Sequence, residues 1–213
     1  PALRAQYSPA PERLVRDLRL RVLIRGADVP PDAGGAELGL CPLGTDTLSD
    51  PLGAPVTPLA SSSTPFPAGT FDWQWLEVRL PAAAWLEAVA KQPPDPSRGG
   101  APGLLLPAVV SVAIHFAGRA GSVEVGAAEL SEPGPAGPNL LPNGGFSATQ
   151  ADGYPAGWER PEKYRAFPPR HFYLFNTWHN ALFENRGRVE LDRLVTPSGA
   201  ASLKMIVPSG DEI

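Results

Sequence analysis

At 213 residues the chain has room for one large or two small domains. Its net charge of -4 and pI near 5.4 lack the basic surplus that a nucleic-acid partner calls for. Pro and Gly, 27 and 22 residues, are nearly a quarter of the chain, which excludes an architecture of long helices and suits short strands joined by tight turns.

Leu18 to Arg25 alternates: Leu18, Leu20, Val22 and Ile24 share one face, and Arg19, Arg21 and Arg25 share the other with Leu23. Ala36 to Cys41 reads as a second short strand, with Cys41 a small buried apolar residue. Cys41 is the single cysteine, so neither an intrachain disulfide nor a zinc site made of thiolates alone can form. Residues 42 to 70 hold no sustained period and are expected to form a long surface loop.

Trp73 to Leu80 is the next strand, with Trp73, Trp75 and Glu77 on one face and Leu76, Val78 and Leu80 on the other. Ala82 to Lys91 suits a short helix, since Pro81 fits an entry turn and Ala, Leu and Glu favour helix. A Pro/Gly loop follows over residues 92 to 107. Pro107 to Phe116 and Val123 to Leu130 are further strands, joined by a Gly121-Ser122 turn. Residues 132 to 138, Glu-Pro-Gly-Pro-Ala-Gly-Pro, can support neither ladder nor helix and read as a linker. Beyond it, Phe172 to Trp178, Arg188 to Leu194 and Ala201 to Val207 are strand candidates. The expected fold is all-β, an antiparallel β-sandwich with long Pro/Gly-rich loops and at most one short helix. No apolar run approaches the roughly 20 residues of a membrane-spanning helix.

Three phrases stand out after the linker: Leu141-Pro-Asn-Gly-Gly-Phe146, Pro155-Ala-Gly-Trp158 and Ser198-Gly-Ala-Ala-Ser-Leu203. Earlier in the chain lies Trp75-Leu-Glu-Val-Arg-Leu-Pro81. Together they resemble carbohydrate-binding modules with the galactose-binding-domain-like jelly roll, which open on a Gly-Gly-Phe phrase and continue through Pro-x-Gly-Trp. The resemblance runs in an unusual order. Residues 1–131 match the C-terminal half of such a module and residues 139–213 the N-terminal half. Either the chain is a window cut from a tandem array, or the halves complete one sandwich. The start at Pro1, without an initiator Met, fits an excised segment.

The resemblance implies a non-catalytic accessory module of a larger secreted or cell-surface protein, with a polysaccharide or glycan and neighbouring domains of the same polypeptide as partners. The alternatives are a structural or adhesive sandwich without a glycan ligand, and an accessory region of a glycoside hydrolase whose catalytic domain lies elsewhere. No paired carboxylates, nucleophile elbow or phosphate loop identifies a catalytic centre in the sequence itself.

Phe146, Trp158 and Trp75 are expected as core anchors. Ten of the 17 aromatic residues fall between Phe146 and Phe183. Within that region, a strand over Phe172 to Trp178 would place aromatic and polar groups on one face, the mixture that stacks on a sugar ring and reaches its hydroxyls. Tyr164, Arg165, Tyr173, Trp178, His179 and Asn180 are the candidate carbohydrate-binding residues on this basis. No cofactor is expected. His171 and His179, even with Asp192 or Glu184, lack a metal-ligand spacing. Related modules hold a structural calcium, but Ser147, Gly126 and Ala127 stand where the resemblance calls for acids. Asp152, Asp211 or Glu212 would have to supply it differently.

Overall fold

The computed structural model describes residues 2–7, 16–42, 60–90, 108–116, 120–133, 137–151, 155–158, 188–192 and 201–206. These form two antiparallel sheets and one helix. The strands are β1 (Ala2–Tyr7), β2 (Leu18–Val29), β3 (Gly34–Pro42), β4 (Ala60–Pro65), β5 (Gly69–Leu80), β6 (Ala108–Phe116), β7 (Ser122–Ser131), β8 (Arg188–Asp192) and β9 (Ser202–Ile206), with α1 (Ala82–Ala90) after β5. The smaller sheet runs β1-β6-β3-β4 and the larger β5-β2-β7-β9-β8. The chain is thus an antiparallel β-sandwich. No described helix is long and apolar enough to cross a membrane.

The pleat explains the core. In β2, Leu18, Leu20, Val22 and Ile24 are buried while Arg19, Arg21, Leu23 and Arg25 are only partly covered. Leu76, Val78 and Leu80 of β5 and Val123, Val125, Ala128 and Leu130 of β7 join them from either side. The smaller sheet answers with Ala36, Leu38 and Leu40 from β3 and Val110, Val112, Ile114 and Phe116 from β6. Burying such β-branched and aliphatic side chains stabilises by roughly 1.5–3 kcal/mol each, before the entropy of ordering them is counted.

Residues 42 to 70 are not one loop, because Ala60–Pro65 pairs with β3 and β5 begins at Gly69. The sequence Ala-Ser-Ser-Ser-Thr-Pro hides this strand: it lies at the sheet edge and has no apolar alternation to bury. Thr64 Oγ1 donates to the Glu77 carbonyl at 2.8 Å, fastening β4 to β5 where the two sheets meet. Helix α1 is entered through a side chain far away in sequence. The Asp17 carboxylate accepts from Ala82 N–H at 2.7 Å, and Trp85 plugs into the core. Leu86, on the same helix, is 55% exposed.

Strand β9 pairs with β7 only over Ser122 to Val125, so the rest of that β7 edge needs other partners. Residues 139–144 supply them. Ala128 N–H donates to the Gly144 carbonyl and Leu140 N–H to the Leu130 carbonyl, both at 2.8 Å. The Asn139 side chain completes the edge as a peptide group would. Its Oδ1 accepts from Leu130 N–H at 2.9 Å and Leu141 N–H at 3.1 Å, and its Nδ2 donates to the Ala128 carbonyl at 2.8 Å. All four outward backbone groups of buried Ala128 and Leu130 are thereby satisfied.

Asn143 knots the next turn. Its Nδ2 donates to the carbonyls of Ala148 and Ala156 at 2.7 and 3.0 Å, and its Oδ1 accepts from Ala148 N–H at 3.0 Å. The knot holds Phe146 at a φ of 54°, a left-handed conformation costly for a large side chain. Phe146 is nonetheless fully buried against Trp158, with ring centroids 5.4 Å apart, and Trp158 Nε1–H donates to the Pro142 carbonyl at 3.2 Å. Both rings are core anchors.

Candidate functional site

Trp75 is not a core residue. It is 40% exposed on the outward face of β5, on the opposite side from Leu76, Val78 and Leu80. Strand parity overrides residue type here: an inward Trp75 would turn its aliphatic neighbours to solvent.

The outward face of β5, β2 and β7 carries two parallel rows of side chains. In the first, Glu124 of β7 accepts from Arg25 Nη2 at 2.8 and 2.9 Å on its two oxygens, and the Arg25 guanidinium lies 5.4 Å from the Trp73 ring centroid. In the second, Glu129 accepts from Arg21 Nη1 at 3.4 Å, and Arg21 lies 4.1 Å from the Trp75 ring centroid. Each row therefore runs carboxylate, guanidinium, indole across three strands. The register dictates it, since Arg25 sits opposite Glu124 and Arg21 opposite Glu129. A cation over an indole face contributes about 0.5–1 kcal/mol at exposed sites. The carboxylate end keeps the guanidinium from swinging off the ring.

The two rows differ in depth. The Glu124 side chain is 8% exposed, so its ion pair is shielded, whereas Glu129 and Arg21 lie open enough for water to screen their long contact. Trp75 is accordingly the wetter of the two indoles.

A third rung is built differently. Arg19 of β2 stands directly opposite Arg79 of β5 on one side and Ser131 of β7 on the other. Arg79 Nε donates to Glu77 Oε1, two residues away on its own strand, and its side chain is 75% exposed. The Arg19 Nε is buried and finds no acceptor among the described residues. Like charges facing each other across a ladder destabilise a sheet.

The six residues expected to bind carbohydrate, Tyr164, Arg165, Tyr173, Trp178, His179 and Asn180, lie outside the described residues, as does the Phe172 to Trp178 strand. The structure brings together a different set, Trp73 and Trp75 with Arg19, Arg21, Arg25 and Arg79. Period-two alternation puts Trp73 and Trp75 on one face of their strand and Arg19, Arg21 and Arg25 on one face of another, without bringing the two faces together. The cross-strand register that joins them was not legible in the sequence. Among the described residues no cluster of three or more His, Cys, Asp or Glu is placed to hold a metal ion. Comparison with protein-family models, with curated proteins and with solved structures finds no match to this chain.

Proposed function

We propose that this chain is a non-catalytic glycan-binding module of a larger secreted or cell-surface protein, and that the outward face of β5 and β2 contributes its binding surface. The observation that carries the reading is Trp75: a large indole, 40% exposed on the outward face of β5, with the Arg21 guanidinium over one side of its ring. An indole offers an apolar plane to the C–H face of a pyranose, and arginine N–H groups reach ring hydroxyls. The resemblance of the Gly-Gly-Phe and Pro-Ala-Gly-Trp phrases to galactose-binding-like modules supports the same class. Its two rings are used in packing, which leaves ligand contact to other residues.

A second reading is an adhesive or structural sandwich whose face packs against a neighbouring domain. The internally paired Glu–Arg–Trp rows favour it, because they already satisfy much of the face without a ligand.

The test is affinity electrophoresis of the 213-residue protein in gels containing soluble neutral and acidic polysaccharides. Glycan binding predicts retardation that Trp75→Ala abolishes and Trp73→Ala weakens, with the melting temperature held within a few degrees because neither ring builds the core. The Tyr173→Ala, Trp178→Ala double variant separates the sheet face from the segment between residues 164 and 180. Loss in that variant alone moves the site there. Retardation by no polysaccharide, together with self-association or capture of the flanking domains, supports the adhesive sandwich instead.

A further inference from the structure

We infer that the rung formed by Arg19 and Arg79 is an anion subsite, so that the glycan taken by this face carries a carboxylate or a sulfate ester. The inference rests on the glycan-binding reading above and adds the chemical class of the ligand. Two observations converge on this rung. Arg19 and Arg79 are register partners on adjacent strands, which places two guanidinium stems on neighbouring positions of one face. The like-charged pairing costs stability, and the third strand supplies a hydroxyl residue there, Ser131, where an acid would relieve it. Independently, the Arg19 Nε is buried without an acceptor among the described residues. A buried guanidinium N–H left unbonded is a costly arrangement, and an oxyanion that draws the Arg19 guanidinium outward to meet it relieves that cost.

The acids close by are already engaged. Glu77 accepts from Arg79, Glu129 from Arg21, Glu132 from Arg16 at 2.8 Å, and the Asp17 carboxylate caps α1. Among the described contacts, Arg79 spends only its Nε on Glu77, so its terminal N–H pair remains for the planar two-point contact that guanidinium makes with carboxylate or sulfate. Trp75 lies on the same face of β5, four residues before Arg79. An anionic sugar held by the arginines therefore leaves its chain running along the strand toward the indole. The protein as a whole carries a net charge of -4, which opposes indiscriminate attraction to polyanions.

The experiment uses two matched pairs of probes in affinity gels and calorimetry: polygalacturonate with its fully methyl-esterified form, and dextran sulfate with dextran. One charged member is expected to bind at least tenfold more tightly than its neutral counterpart, and which pair shows the gap identifies carboxylate or sulfate. Arg79→Gln, at an exposed position that the fold does not need, is expected to close most of that gap. Arg19→Gln is expected to do the same, with melting curves confirming that it remains folded. Rising salt should weaken the charged member selectively. Equal binding of charged and neutral members, unchanged in Arg79→Gln but lost in Trp75→Ala, overturns the anion subsite and leaves glycan binding standing. Failure of every probe, neutral ones included, overturns both. Charged-only binding that survives both Arg79→Gln and Trp75→Ala places the polyanion elsewhere and also overturns the subsite.

Discussion

Replacing Asn139 by Ala tests whether a side chain completes the edge of β7. The substitution removes three hydrogen bonds of 2.8 to 3.1 Å and strips partners from Leu130 N–H, Leu141 N–H and the Ala128 carbonyl. Ala128 and Leu130 are fully buried, so water cannot readily take the vacated places. At about 1 kcal/mol net for each bond the loss is about 3 kcal/mol, and uncompensated burial of the orphaned groups moves it upward. For a chain of this size each kcal/mol shifts the melting temperature by roughly 2–4 °C, giving a drop of roughly 6–12 °C. Urea denaturation should show a lower midpoint with an unchanged slope.

Asn139→Asp sharpens the test. It keeps the accepting oxygen but turns a second oxygen toward the Ala128 carbonyl. At neutral pH it should be at least as damaging as Ala. A protonated carboxyl can donate to that carbonyl, so the native state holds a proton that the unfolded state has released. The folded-state pKa is then the higher of the two, and stability of this variant recovers as pH falls through it, relative to the parent. An Ala variant within about 0.5 kcal/mol of the parent, a threshold typical of surface changes, would refute the edge-completing role.

Trp158→Ala removes a buried ring stacked on Phe146 and should cost about 3–5 kcal/mol by urea denaturation. Trp158→Phe keeps the apolar contact but orphans the Pro142 carbonyl and should cost less than half as much. The paired glycines of the Gly-Gly-Phe phrase should behave oppositely. A Cβ at Gly144 would come within 2.1 Å of the Ala128 carbonyl oxygen, whereas one at Gly145 meets nothing within 4 Å. Gly144→Ala should therefore lose roughly 2–4 kcal/mol, and Gly145→Ala should be neutral or slightly stabilising in the same thermal melts.

The strands legible in the sequence were those with a buried aliphatic parity. Leu18 to Ile24, Leu76 to Leu80 and Val110 to Phe116 each announce one inward face, and Val123 to Leu130 does so in two pieces, Val123 and Val125 then Ala128 and Leu130, across a bulge. Ala60–Pro65 is invisible in the sequence because an edge strand of serines follows no such constraint, and Ala2–Tyr7, which pairs with β6 as the opposite edge, carries no clear signal either. Trp75 departs from the usual burial of a tryptophan because the inward parity of Leu76, Val78 and Leu80 forces it outward. The asparagines at 139 and 143 carry the backbone contacts that make the turn possible, yet nothing in the local sequence marks them as the phenylalanine that follows them is marked. The role of Asn139 depends on the unpaired edge of β7, a fact of topology that no local pattern encodes. The arginine and tryptophan rows are hidden for the same reason, because Arg25 and Glu124 meet across 99 residues.

The strand orders β1-β6-β3-β4 and β5-β2-β7-β9-β8 set a condition on how the protein is made. Consecutive strands β6 and β7 are interior members of different sheets: β6 joins β1 to β3, and β7 joins β2 to β9. A nascent chain that has emerged only as far as α1 holds the pair β3-β4 and the longer-range pair β2-β5 that brackets it, with β1 unattached and one flank of β2 and of β3 bare. The central strand that each layer still lacks comes from the same short stretch, residues 108 to 131, while the far edge of β7 waits for residues 139 to 144 and β9. Ribosome-released chains ending before residue 108 should be protease-sensitive throughout, protection should begin to rise in both sheets together once residue 131 has cleared the exit tunnel, and the larger sheet should reach full protection only with the chain beyond residue 206.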